Sequence, residues 1–156
     1  MIIKSENEMI KLAYKSGDQL SKSIKENLVI YLSGDLGSGK TTFTKGLIRG
    51  LGFDGLVTSP TFSLVERIET NLFLILHIDL YRLDRAEEII ELELHEEPKY
   101  SKPSIMIIEW PEKGHGLILP PDIEISFEIN KIKDERQIDL KDSANKLGNA
   151  FHNWVE

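Results

Sequence analysis

Cysteine is absent from this chain, which excludes disulfides, thiolate metal sites and thiol catalysis together. That absence fits a cytosolic protein. Positive charge is also short, with 26 acidic residues against 19 basic ones and a formal net charge of -7. Such a balance is a poor footprint for a polyanion, so tight unaided binding of RNA or DNA is not expected. A local basic patch is still open to it, because Lys40, Lys45, Arg49, Arg67, Arg82 and Arg85 lie in or near the candidate site segments. Long apolar runs are missing too. The longest, NLFLILHIDL around Leu72 to Leu80, falls short of the ~18 residues that a membrane helix needs. The opening MIIKSENEMIKLAYKSG has no continuous apolar stretch of the kind a secretory signal carries, so none is expected. With no repeat, low-complexity tract or Gly/Ser linker to mark a boundary, all 156 residues are read as one domain.

What is present is a core's worth of apolar residues, 40% of the chain, in alternating helical and extended patterns. Residues 5 to 26 place Met9, Leu12, Ala13, Leu20 and Ile24 at near-helical spacing, and Ser5 followed by Glu8 suits a capping box. LVIYLSG, from Leu28 to Gly34, predicts a buried strand. KTTFTKGLIRGLG predicts a helix stopping at Gly52, with Phe43, Leu47, Ile48 and Leu51 on one face. TSPTFSLVERIETNLFLILHIDLYRL predicts two strands joined near Glu69 to Asn71, an antiparallel hairpin inserted into a parallel arrangement. Asp84 is a candidate cap for an acidic helix that Pro98 must end. SIMIIEW from Ser104 is a strand stopped by Pro111. DIEISFEI from Asp122 alternates with period two, and RQIDLKD is its candidate partner. The segment after Ala144 is weakly helical. The expected class is α/β: a three-layer fold with a mixed, mainly parallel sheet and one inserted antiparallel hairpin.

Gly34-Asp35-Leu36-Gly37-Ser38-Gly39-Lys40-Thr41 fits the phosphate-loop pattern G-x-x-x-x-G-K-[ST] in full, with a strand before it and a helix after it. Gly37 and Gly39 let backbone N–H groups converge on phosphate oxygens, the helix offers its positive end, Lys40 adds a point charge and Thr41 a hydroxyl for Mg²⁺. Thr42 extends the cradle. The metal wants a carboxylate from the end of a neighbouring strand. FLILHID ends in Asp79 and IMIIE ends in Glu109, and composition does not choose between them. They can share the work, one near the metal and one orienting the attacking water.

Thr58, Ser59 and Thr61 surround Pro60, which forces Ser59 to be extended. Either they present hydroxyls to the terminal phosphate as a switch segment or they form a stiffened turn into a strand. His77 shares a strand face with Asp79, and a structural role for it is favoured over a role near the site. Arg82 reaches either phosphate, an acidic partner or a surface salt bridge. Trp110 reads as packing rather than as a platform for adenine, and the acidic helix as a solvated face or a contact for a basic partner. The Asn-Lys-x-Asp signature that reads guanine is absent, which favours ATP.

Four motifs in order, GDLGSGKTTFTKG, TSPTFSLVE, HIDLYRL and IIEWPEK, resemble those of the small bacterial P-loop ATPase family TsaE, formerly YjeE, over roughly residues 5 to 140. That resemblance implies a P-loop fold, Mg-dependent ATP hydrolysis, and action with TsaD and TsaB in making threonylcarbamoyladenosine beside the tRNA anticodon. TsaD carries out the transfer, so tRNA is met only through the complex. By motif matching, Lys40 and Thr41 take the phosphate and Mg²⁺ roles and Glu109 that of the metal-associated acid. Asp79 is then needed for hydrolysis, and Thr61 stands where the family has a switch-like threonine. Leu92-Glu93, where Leu-Gly is usual, and YSKPS, where a glycine is common, depart from the pattern without touching the site motifs. A small-molecule kinase and a non-hydrolysing ATP sensor are the competing readings. An Arg-rich lid, expected of the first, is not evident.

Overall fold

LILHID and SIMIIE, the two near-continuous apolar runs, become neighbouring strands buried along their whole length, as central parallel strands must be. The structure, a computed structural model, describes residues 1–94 and 99–146. In chain order these form β1 (Ile2–Ile3), α1 (Glu6–Ser23), β2 (Leu28–Gly34), α2 (Lys40–Gly50), β3 (Val65–Glu69) and β4 (Leu74–Asp79). There follow α3 (Ala86–Glu91), β5 (Ser104–Glu109), a short 3-10 turn (Pro111–Gly114), β6 (Ile123–Asn130) and β7 (Glu135–Asp142).

The sheet runs β1-β7-β6-β2-β5-β4-β3. Its four central strands β6, β2, β5 and β4 are parallel, and β3, β7 and β1 extend the two sides in antiparallel fashion. The expected mixed, mainly parallel sheet and the hairpin β3–β4 are therefore present, as is the pairing of β6 with β7. The edge strand β1 was not foreseen. It is only two residues long and is tied down by the terminal amine, which donates to Ile138 O at 2.7 Å.

The two faces of the sheet carry separate cores. One lies under α1 and α2 and takes Ile30, Leu32, Ile75, Ile105 and Ile107 from the strands; the other takes Leu76, Ile78, Met106 and Ile108, with Ile89 of α3 among their neighbours. Alternation along each strand assigns these faces. It also assigns His77, Asp79 and Glu109 to the α2 side.

Ser5 caps α1 as its sequence suggests, its hydroxyl accepting from the Glu8 N–H at 3.2 Å. Glu8 reaches one residue further back than a capping box requires, accepting from the Lys4 N–H at 2.8 Å. The helix ends at Ser23 because Ile24 turns extended. Helix α2 ends at Gly50, with Gly52 at φ +99° just beyond it, the left-handed position at which glycine commonly stops a helix. Glycine has a second use here. A Cβ on Gly50 would stand 2.1 Å from Tyr14 O, and one on Gly17 would stand 2.2 Å from Leu47 O, so α1 and α2 cross with their backbones in contact.

Helix α3 departs from expectation. Its cap position is Arg85 rather than Asp84, with Glu88 accepting from the Arg85 N–H at 3.2 Å, and it stops at Glu91. Leu92 closes it and Glu93 follows at φ +55°, so the chain leaves the helix before Pro98, which lies outside the described residues. The C-terminal residues read as weakly helical, from 147 on, are also outside them.

Candidate functional site

β2 delivers its chain end at Gly34, and the loop to α2 passes through three left-handed glycines, Gly34 (φ +143°), Gly37 (φ +80°) and Gly39 (φ +105°). At Gly34 the constraint is space as well as angle, since a Cβ would meet Phe127 O at 2.3 Å. Gly37 faces open space. Gly39 caps α2 without a side chain, so the first N–H groups of the helix remain directed at whatever occupies the loop. Asp35 and Leu36 form the exposed rim, Leu36 being 70% exposed. Ser38 is buried, and its Oγ has no hydrogen-bond partner among the described residues.

Lys40 is buried at the base of a cavity of about 330 Å³ whose lining includes Gly37, Thr41, Asp79, Arg82, Glu109 and Trp110. Its ammonium donates to Gly34 O at 2.5 Å and Asp35 O at 3.0 Å, and sits 3.9 Å from the centre of the Trp110 ring. Burial lowers its pKa from the ordinary lysine value, opposed by the negative charges of Glu109, Glu112, Asp79 and Asp35. A desolvated cation held only by neutral carbonyls and an aromatic face is a ready partner for an anion.

Strand order places the two carboxylates differently. β5 lies between β2 and β4, with Glu109 in register with Leu32 on one side and Asp79 on the other. Glu109, buried, accepts from Thr41 Oγ1 at 2.9 Å through Oε2, and its Oε1 stands 3.1 Å from Thr44 Oγ1 and 2.9 Å from His77 Nε2. Asp79 is one strand further from the loop. Its Oδ2 accepts from Ser59 at 3.2 Å and Thr61 at 3.4 Å, and its Oδ1 from the Tyr81 N–H at 3.0 Å. Thr41 with Glu109 thus offers hard oxygen donors suited to a divalent cation. Among the described residues no group of three or more His, Cys, Asp and Glu side chains is arranged to hold a metal ion by itself.

Residues 58–64 are irregular chain ending in a turn rather than the start of a strand, the turn closed by the Leu64 N–H on Pro60 O at 2.8 Å, and β3 begins only at Val65. This segment brings Ser59 and Thr61 to Asp79, with 2.9 Å between their hydroxyls. Thr58 faces Glu66 instead, at 3.4 Å. His77 is buried, but against Glu109, so it belongs to the site's support and not to the core alone. Arg82 lies 4.2 Å over the exposed ring of Phe62 and forms no ion pair with another described residue. Trp110, at φ +59°, lines the cavity, packs against the second core and rests on Tyr81 with 4.9 Å between ring centres, the packing its sequence suggested. Thr42 borders both this cavity and a second one of about 280 Å³ that reaches Lys4, Ser5, Met9 and Arg136.

Sequence reasoning missed Thr44. The signal was available: it lies one helical turn after Thr41 and Lys40, on a face where a threonine has no apolar reason to be buried.

The model of the family "Threonylcarbamoyl adenosine biosynthesis protein TsaE" matches residues 3–138. A Haemophilus influenzae protein named tRNA threonylcarbamoyladenosine biosynthesis protein TsaE is 38% identical over 155 residues, 97% of this chain and 96% of that one. A Rickettsia felis protein of the same name is 39% identical over 130 residues, 83% of this chain and 72% of the relative. The crystal structure of Bacillus subtilis YdiB, 23% identical, superposes with a TM-score of 0.72 over 99% of this chain and 92% of that one, a likeness of fold. Matched along most of its length by that model and by full-length relatives of the same name, the chain belongs to the TsaE family.

Proposed function

We propose that this chain hydrolyses ATP with Mg²⁺ in the cytoplasm, and that hydrolysis supports turnover of the threonylcarbamoyl transfer to tRNA carried out with TsaD and TsaB. tRNA is then met only through those partners. The observation that supports this most is the separation of the two carboxylates. Glu109 is bound to the hydroxyl of Thr41 beside the phosphate loop, whereas Asp79 is bound to hydroxyls of the segment 58–64. A binding module that only sensed ATP would have no use for the second arrangement.

In this reading the backbone from Gly34 to Gly39 and the start of α2 hold the phosphates, and Lys40 exchanges its loop carbonyls for phosphate oxygens. Thr41 and Glu109 hold the Mg²⁺, which when bound neutralises charge on the phosphates. Asp79 accepts a hydrogen bond from the attacking water and Thr61 shares in placing it. Base recognition favours adenine because the guanine-reading signature is missing. The whole chain acts as one domain.

Phosphate release from ATP, followed for the purified chain alone and with TsaD and TsaB, tests the proposal. Slow Mg-dependent release that rises with the partners and is lost in Asp79→Asn is expected. Tight ATP binding with no release in any mixture would turn the chain into a sensor.

A further inference from the structure

An imidazole in the middle of a strand whose neighbours are leucine and isoleucine has no packing reason to be there. His77 is 0% exposed between Leu76 and Ile78, and a buried polar ring is tolerated only where it is hydrogen-bonded. Its Nε2 lies 2.9 Å from Glu109 Oε1. A carboxylate oxygen can only accept, so Nε2 carries the proton and the tautomer is set. On the other side of the ring, Nδ1 faces Glu66 Oε2 at 3.9 Å, and both atoms are buried with no hydrogen-bond partner among the described residues. His77 has Glu66 as its register partner on β3 and Ile107 on β5, so it meets Glu109 diagonally, two residues further along β5.

We propose that His77 is a positioning residue for Glu109. The argument rests on the reading of Glu109 as the metal-associated acid. Glu109 Oε1 is occupied from inside the protein by His77 and Thr44, which leaves Oε2 as the oxygen turned to Thr41. Without the imidazole the carboxylate keeps on that side only the Thr44 hydroxyl, whose one proton is also within reach of Lys40 O at 3.0 Å, and is free to rotate, so both oxygens sample the cavity. Partners that orient a ligating carboxylate in this way usually affect metal affinity by about 10- to 100-fold. Glu66 also approaches the segment before β3, its Oε1 standing 3.4 Å from Thr58 Oγ1.

The test is ADP binding by calorimetry, with and without Mg²⁺, for the native chain, His77→Leu and His77→Gln. Leucine fills the space without a donor; the glutamine amide reaches the place of Nε2. His77→Leu is expected to lose about tenfold or more of the gain in affinity that Mg²⁺ gives, to bind ADP without Mg²⁺ as the native chain does, and to be rescued by His77→Gln. A native-sized Mg²⁺ gain in folded His77→Leu overturns the role of His77 alone. If the native chain binds ADP but gains nothing from Mg²⁺, the reading of Glu109 fails first, and this inference with it. If His77→Leu does not fold, nitrogen NMR of the native protein decides the matter. A proton on Nε2 of His77 whose resonance moves when Mg²⁺ joins bound ADP supports the proposal, and a bare Nε2 contradicts it.

Discussion

Asp79 and Glu109 are register partners at the carboxyl ends of adjacent parallel strands, yet they serve different halves of the site. Glu109 faces the phosphate loop through Thr41, and Asp79 faces the segment 58–64 through Ser59 and Thr61. One strand spacing, about 4.8 Å, separates the acid proposed for the metal from the acid proposed for the attacking water.

The two acids should therefore fail differently. Glu109→Gln is expected to weaken Mg-dependent ADP binding as well as turnover. Asp79→Asn should leave nucleotide affinity within about twofold and lower turnover on the order of 100-fold, the usual size of a lost general base. Parallel calorimetry and phosphate-release assays check this, and a matched loss of affinity in both variants would contradict it.

Lys40→Ala removes the charge nearest the phosphates. Nucleoside triphosphate binding is expected to fall by at least tenfold, the effect of one lost charge-assisted bond of about 1.5–3 kcal/mol. Titration with ATP measures it, and unchanged affinity would show that the loop backbone suffices.

The same lysine burdens the empty protein. Burial holds its folded pKa below the unfolded value of about 10.5, so between those two values the unfolded chain binds the extra proton and stability rises with pH. Below that window the full cost of the buried cation is present. Lys40→Met, nucleotide-free, is expected to melt above the native chain at neutral pH, and the difference should shrink as pH climbs toward 10.5. Thermal melts across pH test the sign, and a native chain that melts higher at neutral pH would reverse it.

Gly50→Ala probes the helix crossing. Its Cβ would meet Tyr14 O at 2.1 Å, so α1 and α2 must separate at a cost of about 1–3 kcal/mol, comparable to overpacking a core. Denaturant unfolding should show this loss while the folded fraction binds ADP as before.

What was legible in the sequence was local or carried by whole motifs. The phosphate loop is contiguous, so Gly34 to Thr42 could be read directly, and the strands announce themselves by apolar runs. Strand order is a long-range property. Nothing in the residues alone says that β5 enters between β2 and β4, and that insertion gives Glu109 rather than Asp79 to Thr41. The contacts of His77 with Glu66 and Glu109 were obscured for the same reason, being made across strands. Helix α3 was overextended because the acidic pattern continues past Glu91, whereas Glu93 turns left-handed. The close approach of the two helices at Gly17 and Gly50 is likewise visible only once they are packed.

The measurement that bears most directly on the central claim is multiple-turnover threonylcarbamoyladenosine formation by TsaD and TsaB supplied with native chain or with Asp79→Asn. The account predicts that native chain sustains product beyond one equivalent per TsaD, while Asp79→Asn, still binding ATP, does not. Equal product from both would mean that hydrolysis at this site does not support turnover of the transfer.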